Sequence, residues 1–162
     1  VDRNGVESFA SEPLAAASGN LIKQYEAEDF ATKSGALYKG FSGNGFTEIS
    51  KQTNTSITIP VTVDKSGLYS IDFRYANGNG PTNTENKCAI RSLKIDGNLV
   101  GTFVFPQRGR DEWSNWGFSN ALQTKLAKGK HIITLSFKDA NENMKGDVNE
   151  AVLDYLQVVK VK

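Results

Sequence analysis

The stretch Ser56–Ala76, SITIPVTVDKSGLYSIDFRYA, contains two apolar–polar alternations separated by a turn signal. An alternation of period two places the apolar side chains on one face of a β-strand. The apolar positions are Ile57, Ile59, Val61 and Val63 in the first half, and Tyr69, Ile71, Phe73 and Tyr75 in the second. Between them, DKSG ends in Gly67, a residue type that supplies positive φ in tight turns. The stretch therefore predicts a β-hairpin in which each strand buries one face.

The same texture continues to the end of the chain. Short segments rich in Val, Ile, Thr, Phe and Tyr alternate with clusters of Gly, Asn, Asp and Pro. Further hairpin turns are indicated by DGN (Asp96–Asn98) and AKGK (Ala127–Lys130). We expect nine strands, at Ile22–Asp29, Gly45–Ile49, Thr55–Val63, Gly67–Ala76, Cys88–Ile95, Asn98–Phe105, Trp116–Thr124, His131–Phe137 and Ala151–Val161. No amphipathic helical pattern interrupts the series, which argues against a parallel βαβ sheet.

These strands predict an all-β fold, a jelly-roll β-sandwich of two antiparallel sheets over residues 21–162. Residues 1–20 lack periodicity and are expected to form a linker or N-terminal arm. Two long polar loops, Asn77–Lys87 and Asp139–Glu150, lie between the strands. Loops at the ends of a rigid sandwich commonly carry binding residues, so a binding site is expected there.

The composition restricts the classes of partner. The chain has 162 residues and a formal net charge of +1, which gives no strong field for nucleic acid or an anionic membrane. The apolar runs are too short to span a bilayer. The single cysteine, Cys88, excludes an internal disulfide and a cysteine-rich zinc site, and we expect a buried, inert thiol. The single histidine, His131, begins a strand and is expected to be structural.

Three carboxylates stand at unusual positions. Glu26 and Glu28 are two residues apart in the first predicted strand and would leave the same face. Asp154 would share a face with an otherwise apolar row, formed by Val152, Leu156 and Val158. Because an unpaired buried carboxylate is costly, a hard cation with oxygen ligands, such as calcium, would neutralise all three if the end strands are neighbours. The alternative is that the glutamates face water and Asp154 pairs with a lysine.

Five segments, in order along the chain, resemble carbohydrate-binding modules of families 6 and 35. They are YEAED (Tyr25–Asp29), GNGFTEI (Gly43–Ile49), SGLYSIDFRYANG (Ser66–Gly78), EWSNWGFSNALQTKLAKGKHIITLSF (Glu112–Phe137) and LDYLQVV (Leu153–Val159). The resemblance implies a galactose-binding-domain-like β-sandwich with a structural calcium ion and no catalytic activity. It also implies an oligo- or polysaccharide ligand, a monomeric module, and a catalytic module in the same parent chain. Such parent enzymes are bacterial glycoside hydrolases and other polysaccharide-degrading enzymes, secreted or at the cell surface or periplasm.

The resemblance also implies site residues. The calcium ligands would be Glu26, Glu28 and Asp154, with backbone carbonyls near Ser50 or Lys51. The sugar would contact an aromatic ring from the glycine-rich segment, a tryptophan and an asparagine. Matching positions give Phe46 or Tyr38, Trp113 or Trp116, and Asn149. The tryptophans are three residues apart and would point to opposite faces of a strand, so we expect Trp113 to be the exposed ring.

Several alternatives stay open. Arg108 and Arg110 stand beside Trp113, where a guanidinium would bind the carboxylate of a uronate, unless Asp111 and Glu112 pair with them. Some family 35 members hold a second calcium in the sugar site, for which the candidate ligands here are Asp139, Glu142, Asp147 and Glu150. The competing functions are a structural spacer or adhesion domain with a vacant sugar site, and a small hydrolase using two carboxylates.

Overall fold

The computed structural model describes residues 22–81, 85–144 and 146–162. The expected linker, residues 1–20, lies outside these ranges. Twelve strands lie within them: β1 (Ile22–Glu26), β2 (Thr47–Ile49), β3 (Ser56–Val63), β4 (Gly67–Ala76), β5 (Asn79–Gly80), β6 (Ala89–Ile95), β7 (Asn98–Phe105), β8 (Gly109–Arg110), β9 (Gly117–Phe118), β10 (Leu122–Leu126), β11 (Gly129–Ser136) and β12 (Ala151–Lys160). No helix among the described residues is long and apolar enough to cross a membrane.

The strands form two main antiparallel sheets. The first has the order β1-β12-β4-β10, with β2 also paired to β12 and β9 to β4. The second has the order β3-β11-β6-β7, and the short strands β5 and β8 form a separate ladder. The predicted all-β sandwich of antiparallel sheets is confirmed. The first and last strands are neighbours, since Glu26 in β1 lies opposite Tyr155 in β12.

The core lies between the two sheets. The alternating face of β3, from Ile57 to Val63, is buried as predicted, while the residues between are exposed. Opposite it, Phe73 of β4 packs edge-on against Phe103 of β7, with ring centroids 5.2 Å apart. Burying one such side chain contributes roughly 1.5–3 kcal/mol, so this apolar contact between the faces is the main stabilising term.

The predicted hairpin of β3 and β4 is wrong. The two strands belong to different sheets, and β3 pairs with β11 while β4 pairs with β12 and β10. Their apolar faces meet across the core, which is how two alternating strands joined by a short turn bury both faces. Gly67 is needed for space and not for positive φ, because a Cβ there would lie 2.1 Å from the Lys162 carbonyl oxygen.

Two other strand predictions need correction. The predicted strand Trp116–Thr124 is interrupted and forms β9 and β10, which pair with β4 at separate places. The predicted strand Ile22–Asp29 ends at Glu26 and continues as a 3-10 turn, Ala27–Asp29. Glu28 therefore lies outside the strand, and the prediction that Glu26 and Glu28 leave the same face of one strand is wrong.

Asp154 occupies a β-bulge. In the ladder between β12 and β4, Leu153 faces Tyr75 and Tyr155 faces Arg74, which leaves Asp154 as the extra residue. The bulge shifts the alternation, so Leu153 and Leu156 both face the core. The prediction that Asp154 shares a face with Leu156 and Val158 is therefore wrong, because those two side chains face the core, whereas Val152 belongs to a separate apolar cluster.

Candidate functional site

A second cluster of apolar side chains lies apart from the core. Its buried members are Phe46, Ala76 and Val152, and aromatic side chains that are only partly buried pack on them: Tyr38, Phe41, Trp113 and Trp116. The residues come from the loop before β2, the ends of β4 and β12, and the loop before β9. Because strand ends and loops meet here, this end of the sandwich presents aromatic rings towards solvent.

Tyr38 and Trp113 form the outer layer of this cluster. Their rings are nearly parallel, 7° apart, with centroids 5.7 Å from each other. Tyr38 also stacks on the buried Phe46 at 5.5 Å, which fixes the ring from below. The Trp113 indole lies on the backbone of Gly78, where a Cβ would be 2.7 Å from the ring. We call Tyr38 and Trp113 the aromatic platform.

Clefts flank the platform on both sides of Trp113. The first, the acidic cleft, has a volume of about 200 Å³ and is lined by Tyr38, Glu48, Ser50, Thr53, Trp113 and Glu150. Burial raises the pKa of the Tyr38 hydroxyl, and the Glu48 and Glu150 carboxylates add to the rise. The second, the arginine cleft, has a volume of about 410 Å³ and is lined by Asn79, Lys87, Arg110, Asp111 and Trp113 among others. Ring faces next to carboxylate, amide and guanidinium groups are the chemistry that binds sugars.

Two of the three predicted metal-binding carboxylates meet on the loop before β2. The Glu26 carboxylate accepts a hydrogen bond from the Ser42 hydroxyl at 2.9 Å. The Glu28 carboxylate accepts one from the backbone N–H of Asn44 at 3.0 Å. Gly43 stands between them with φ +58°, and a Cβ there would lie 2.9 Å from both carboxylates. Burial raises the pKa of Glu26, the Ser42 hydroxyl opposes this, and the Asp154 and Glu28 charges add to the rise.

Asp154 joins these groups through Ser42 but has its own cation. Its Oδ1 accepts a hydrogen bond from the Ser42 amide at 2.9 Å, and its Oδ2 forms an ion pair with Arg74. Asp154 is fully buried, so this guanidinium is the counter-charge that makes its burial tolerable. The alternative prediction of a lysine partner is wrong in the residue type, although a basic partner is present.

Comparison with known proteins identifies the fold. A family 35 carbohydrate-binding module from Clostridium thermocellum matches 86% of this chain and 98% of the module, with a TM-score of 0.62 and 23% identity. The chain has the fold of a family 35 carbohydrate-binding module. No protein-family model matches it.

Two matches place segments similar to this chain inside larger enzymes. A cycloisomaltooligosaccharide glucanotransferase of Niallia circulans is 33% identical over 125 residues, which are 75% of this chain and 12% of that enzyme. The crystal structure of a Paenibacillus sp. cycloisomaltooligosaccharide glucanotransferase, complexed with cycloisomaltoheptaose, has a TM-score of 0.62 and 28% identity. The match covers 83% of this chain and 18% of that one. The chain therefore spans less than a fifth of these relatives.

On this family 35 fold, several predicted sugar-binding residues do not face the clefts. Phe46 is 2% exposed and forms the floor of the aromatic cluster, so it is core and not a binding surface. Trp116 is partly buried, and its indole N–H donates to the Lys39 carbonyl at 2.6 Å. Asn149 is 2% exposed, and its Oδ1 accepts hydrogen bonds from the Arg91 guanidinium at 2.6 Å and the Ile90 amide at 2.9 Å. Its role in the fold is structural.

The two arginines beside Trp113 have different environments. Arg108 donates to the Asn115 carbonyl at 2.8 Å and lies 5.7 Å over the Tyr75 ring, so it supports the loop. Arg110 is exposed and lines the arginine cleft. Among the described residues, neither Asp111 nor Glu112 forms an ion pair with Arg110. This guanidinium is therefore available to a ligand.

Ser50 and Lys51, near which the resemblance implies carbonyl ligands, have other partners. The Ser50 carbonyl accepts a hydrogen bond from Arg91 at 3.0 Å, and the Lys51 side chain pairs with Glu142 at 2.6 Å. The candidates for a second calcium are likewise dispersed, since Glu142 is taken by Lys51 whereas Glu150 lines the acidic cleft. Within the described ranges no three His, Cys, Asp or Glu side chains already form a metal-binding group; Glu26 and Glu28 approach each other across Gly43, and Asp154 is linked to Glu26 through Ser42.

Glu48 is the site residue that sequence reasoning missed. It lies in β2 between two buried residues, Thr47 and Ile49, and an exposed glutamate in such an alternation has no distinguishing signal. Only the folded chain brings it beside Tyr38 and Glu150 in the acidic cleft.

Proposed function

We propose that this chain is a non-catalytic carbohydrate-binding module that attaches a secreted bacterial polysaccharide-active enzyme to its glycan. The observation that carries the proposal is the aromatic platform, two nearly parallel, partly exposed rings bordered by two polar clefts that both include Trp113. The family 35 fold and the position of the matched segments within larger enzymes support it. The module would act as a monomer, and its contribution is local concentration of the attached enzyme on the polymer.

Binding follows from the chemistry of the platform and its clefts. The apolar C–H face of a pyranose lies on the Trp113 ring and excludes water from it. The Glu48 and Glu150 carboxylates accept hydrogen bonds from sugar hydroxyls on one side, and Asn79 and Arg110 can donate on the other. Because the clefts are open and shallow, affinity is expected to be weak for a monosaccharide and to rise with chain length.

The first ligand to test is an isomalto-oligosaccharide. The Paenibacillus enzyme whose structure contains a similar fold is complexed with cycloisomaltoheptaose, and the Niallia relative has the same enzyme name, cycloisomaltooligosaccharide glucanotransferase. The acidic cleft also suits a neutral sugar, since carboxylates repel an anionic ligand. The second candidate is an acidic sugar, favoured by the unpaired Arg110 guanidinium, which would bind a uronate carboxylate in the arginine cleft.

We also propose that a calcium ion stabilises the scaffold. Glu28 Oε2 is buried without a hydrogen-bond partner, and the Gly43 backbone leaves a space between the Glu26 and Glu28 carboxylates that a Cβ would fill. Hard oxygen donors with an orphaned buried carboxylate fit calcium. Glu26 and Glu28 would hold the ion, with Asp154 beside them through Ser42. When bound, the ion supplies positive charge to carboxylates that otherwise repel one another.

The deciding experiment measures glycan binding by the intact chain. A glycan array selects the ligand, and isothermal titration then compares wild type with Trp113→Ala, Trp113→Phe and the surface control Leu99→Ala. We expect at least about tenfold weaker binding for Trp113→Ala, a partial loss for Trp113→Phe and no change for Leu99→Ala. A blank array would replace the proposal with the vacant-spacer alternative. Binding by Trp113→Ala that equals that of wild type would show instead that the glycan site lies away from Trp113.

A separate assay addresses the catalytic alternative. Of the two carboxylates that suggest a glycosidase, Asp111, at φ +59°, lines the arginine cleft, whereas the Glu112 side chain lies against Gly109. We expect no release of reducing ends from any glycan that the module binds. Turnover that is lost in Asp111→Asn or Glu112→Gln would establish an enzyme instead.

A further inference from the structure

Arg74 contacts two regions that are far apart in the sequence. From β4 its guanidinium forms the ion pair with Asp154, and its second amino group donates to the Gly40 carbonyl at 3.1 Å. The guanidinium carbon, Cζ, lies 5.5 Å from the centre of the Trp116 ring and 5.9 Å from the centre of the Tyr155 ring. One side chain thus holds a buried carboxylate, a loop carbonyl and a tryptophan.

The loop that Arg74 holds belongs to the aromatic cluster. Gly40 follows Lys39, whose carbonyl accepts the Trp116 indole N–H at 2.6 Å, and Tyr38 of the platform precedes it. Trp116 in turn packs edge-on against Phe46, the ring on which Tyr38 stacks. Displacement of the guanidinium would release both the loop backbone and the ring beneath the platform.

Charge explains why an arginine stands at this place. Asp154 is 0% exposed, whereas the Arg74 side chain is 24% exposed, so the guanidinium brings charge in from the edge of the cluster. Glu26, Glu28 and Asp154 carry three negative charges when ionised, and Arg74 supplies one positive charge. The negative charge that remains would be balanced by one divalent cation. The planar guanidinium of Arg74 can donate to an acceptor on each of two elements.

We propose that Arg74 is a positioning residue with two tasks. It is the built-in counter-ion of Asp154, and it clamps the loop at residues 39–42 and the Trp116 ring beneath the aromatic platform. It never contacts the sugar. The second task rests on the proposed function, whereas the first concerns the folded chain alone.

The test uses the intact chain with Arg74→Met, Arg74→Lys and Lys125→Met. The last variant removes the same charge from an exposed lysine on the neighbouring strand β10. In chelator, Arg74→Met is expected to lower Tm by about 10 °C, because Asp154 keeps a buried charge without a partner. Arg74→Lys keeps the charge but loses the fork and should fall between, while Lys125→Met should match wild type. An Arg74→Met Tm equal to that of Lys125→Met would overturn the counter-ion role.

A double variant separates the charge from general damage to the fold. Asp154→Asn in the Arg74→Met background removes the charge that lacks a partner, so it should recover most of the lost Tm. Failure to recover would mean that Arg74 acts through packing only. Calcium should raise the Tm of Arg74→Met by more than that of wild type, because the ion would then be the remaining cation near Asp154. Where calcium does raise the Tm of wild type, an equal rise in Arg74→Met contradicts the counter-ion role; the comparison of the single and double variants in chelator does not depend on the ion.

The clamp is tested by two other measurements. In a Trp113→Phe background Trp116 is the single tryptophan, and adding Arg74→Met should shift its emission to longer wavelength as the ring becomes exposed. With the glycan that wild type binds, Arg74→Met should weaken affinity about tenfold and Arg74→Lys less. An unshifted emission with full affinity overturns the clamp. If wild type binds no glycan, the proposed function fails, but the emission and Tm measurements still decide the role of Arg74.

Discussion

The Trp113 ring occupies space that is free because Gly78 has no side chain. The indole lies directly on the Gly78 backbone, and Gly78 has no positive φ, so a substitution there acts through space alone. Gly78→Ala would place a methyl group 2.7 Å from the Trp113 ring, so the ring must shift from its position beside Tyr38. We expect about tenfold weaker glycan binding by titration, with the tryptophan still present.

Gly35→Ala is the matched control for that variant. Gly35 lies in the loop that carries Tyr38, also lacks positive φ, and has nothing within 4 Å of an added Cβ. It should bind like wild type. Equal affinities for Gly78→Ala and wild type would show that the position of the Trp113 ring does not determine binding.

His131 is structural, as the sequence suggests, and makes stability depend on pH. Its Nε2 faces the Ala127 carbonyl at 2.8 Å and its Nδ1 faces Asp96 at 2.7 Å, so both ring nitrogens meet acceptors. The Ala127 carbonyl and Asp96 raise the pKa of His131 in the folded state. The gain in stability is therefore present below the unfolded pKa of about 6.5, and it is lost as pH rises through the raised value.

His131→Gln should thus be less stable than wild type at pH 5.5, and the difference should shrink towards pH 9. Asp96 is about half exposed, so we expect less than about 1 kcal/mol of unfolding free energy. Denaturant unfolding across this pH range measures it, with the exposed neighbour Lys130→Gln as control. A difference between the two variants that stays constant over the range would refute the assignment.

At the scale of elements, a buried network fixes the loop between β11 and β12. The Arg91 guanidinium is 1% exposed and donates to Asn149 Oδ1 at 2.6 Å, to the Asn149 carbonyl at 3.1 Å and to the Ser50 carbonyl at 3.0 Å. The Asn149 amide group donates to the Asn141 carbonyl at 2.7 Å, closing the loop on itself. Ser50 and Glu150, next to these groups, line the acidic cleft, so the network supports the site from behind.

Asn149→Ala is therefore expected to destabilise the fold as well as weaken binding. It leaves a buried guanidinium without its shortest acceptor, for a cost of about 3 kcal/mol. Denaturant unfolding measures this loss, with Asn98→Ala, an exposed amide in the β6–β7 turn, as control. If Asn149→Ala loses glycan affinity at unchanged stability, Asn149 contacts the sugar directly.

Strand positions were predictable where apolar and polar residues alternate, as along the whole of β3. β4 and β7 match the sequence prediction at both ends, since apolar periodicity and turn residues agree there. Pairing was not predictable in the same way, because a short turn such as Ser66–Gly67 serves both a hairpin and a crossing between sheets. The bulge at Asp154 was also hidden, since one extra residue leaves no mark in a nine-residue apolar run.

The candidate site was also predictable only in part. Trp113 and Tyr38 were named from the resemblance, and the structure brings them together as stacked rings. Phe46 and Asn149 were named on the same basis but are buried. Ring type alone does not determine burial, because the exposed face depends on which loop folds over the cluster, and that is set by contacts distant in sequence such as Arg74 with Gly40.

At the scale of the whole molecule, the first and last strands of the described residues lie side by side. β1 and β12 are adjacent, so the Glu26 and Glu28 carboxylates near the first strand lie beside Asp154 in the last. Ser42 contacts Glu26 and Asp154 from a third segment. Any ion bound at this junction would join segments more than a hundred residues apart and oppose unfolding of the entire domain.

Calcium is therefore expected to raise the Tm of wild type. At a concentration about a hundredfold above Kd the linkage adds about 2.7 kcal/mol, or about 5–10 °C for a domain of this size. Glu28→Gln should abolish most of this rise, because it removes a charge whose Oε2 has no other partner. Asp29→Asn, which neutralises the exposed carboxylate next to it, should retain the rise. Scanning calorimetry with calcium, with magnesium and with chelator makes the comparison. A wild-type Tm that is the same in calcium and chelator, or a rise that survives Glu28→Gln, would mean that Ser42 and Arg74 alone keep the two chain ends together.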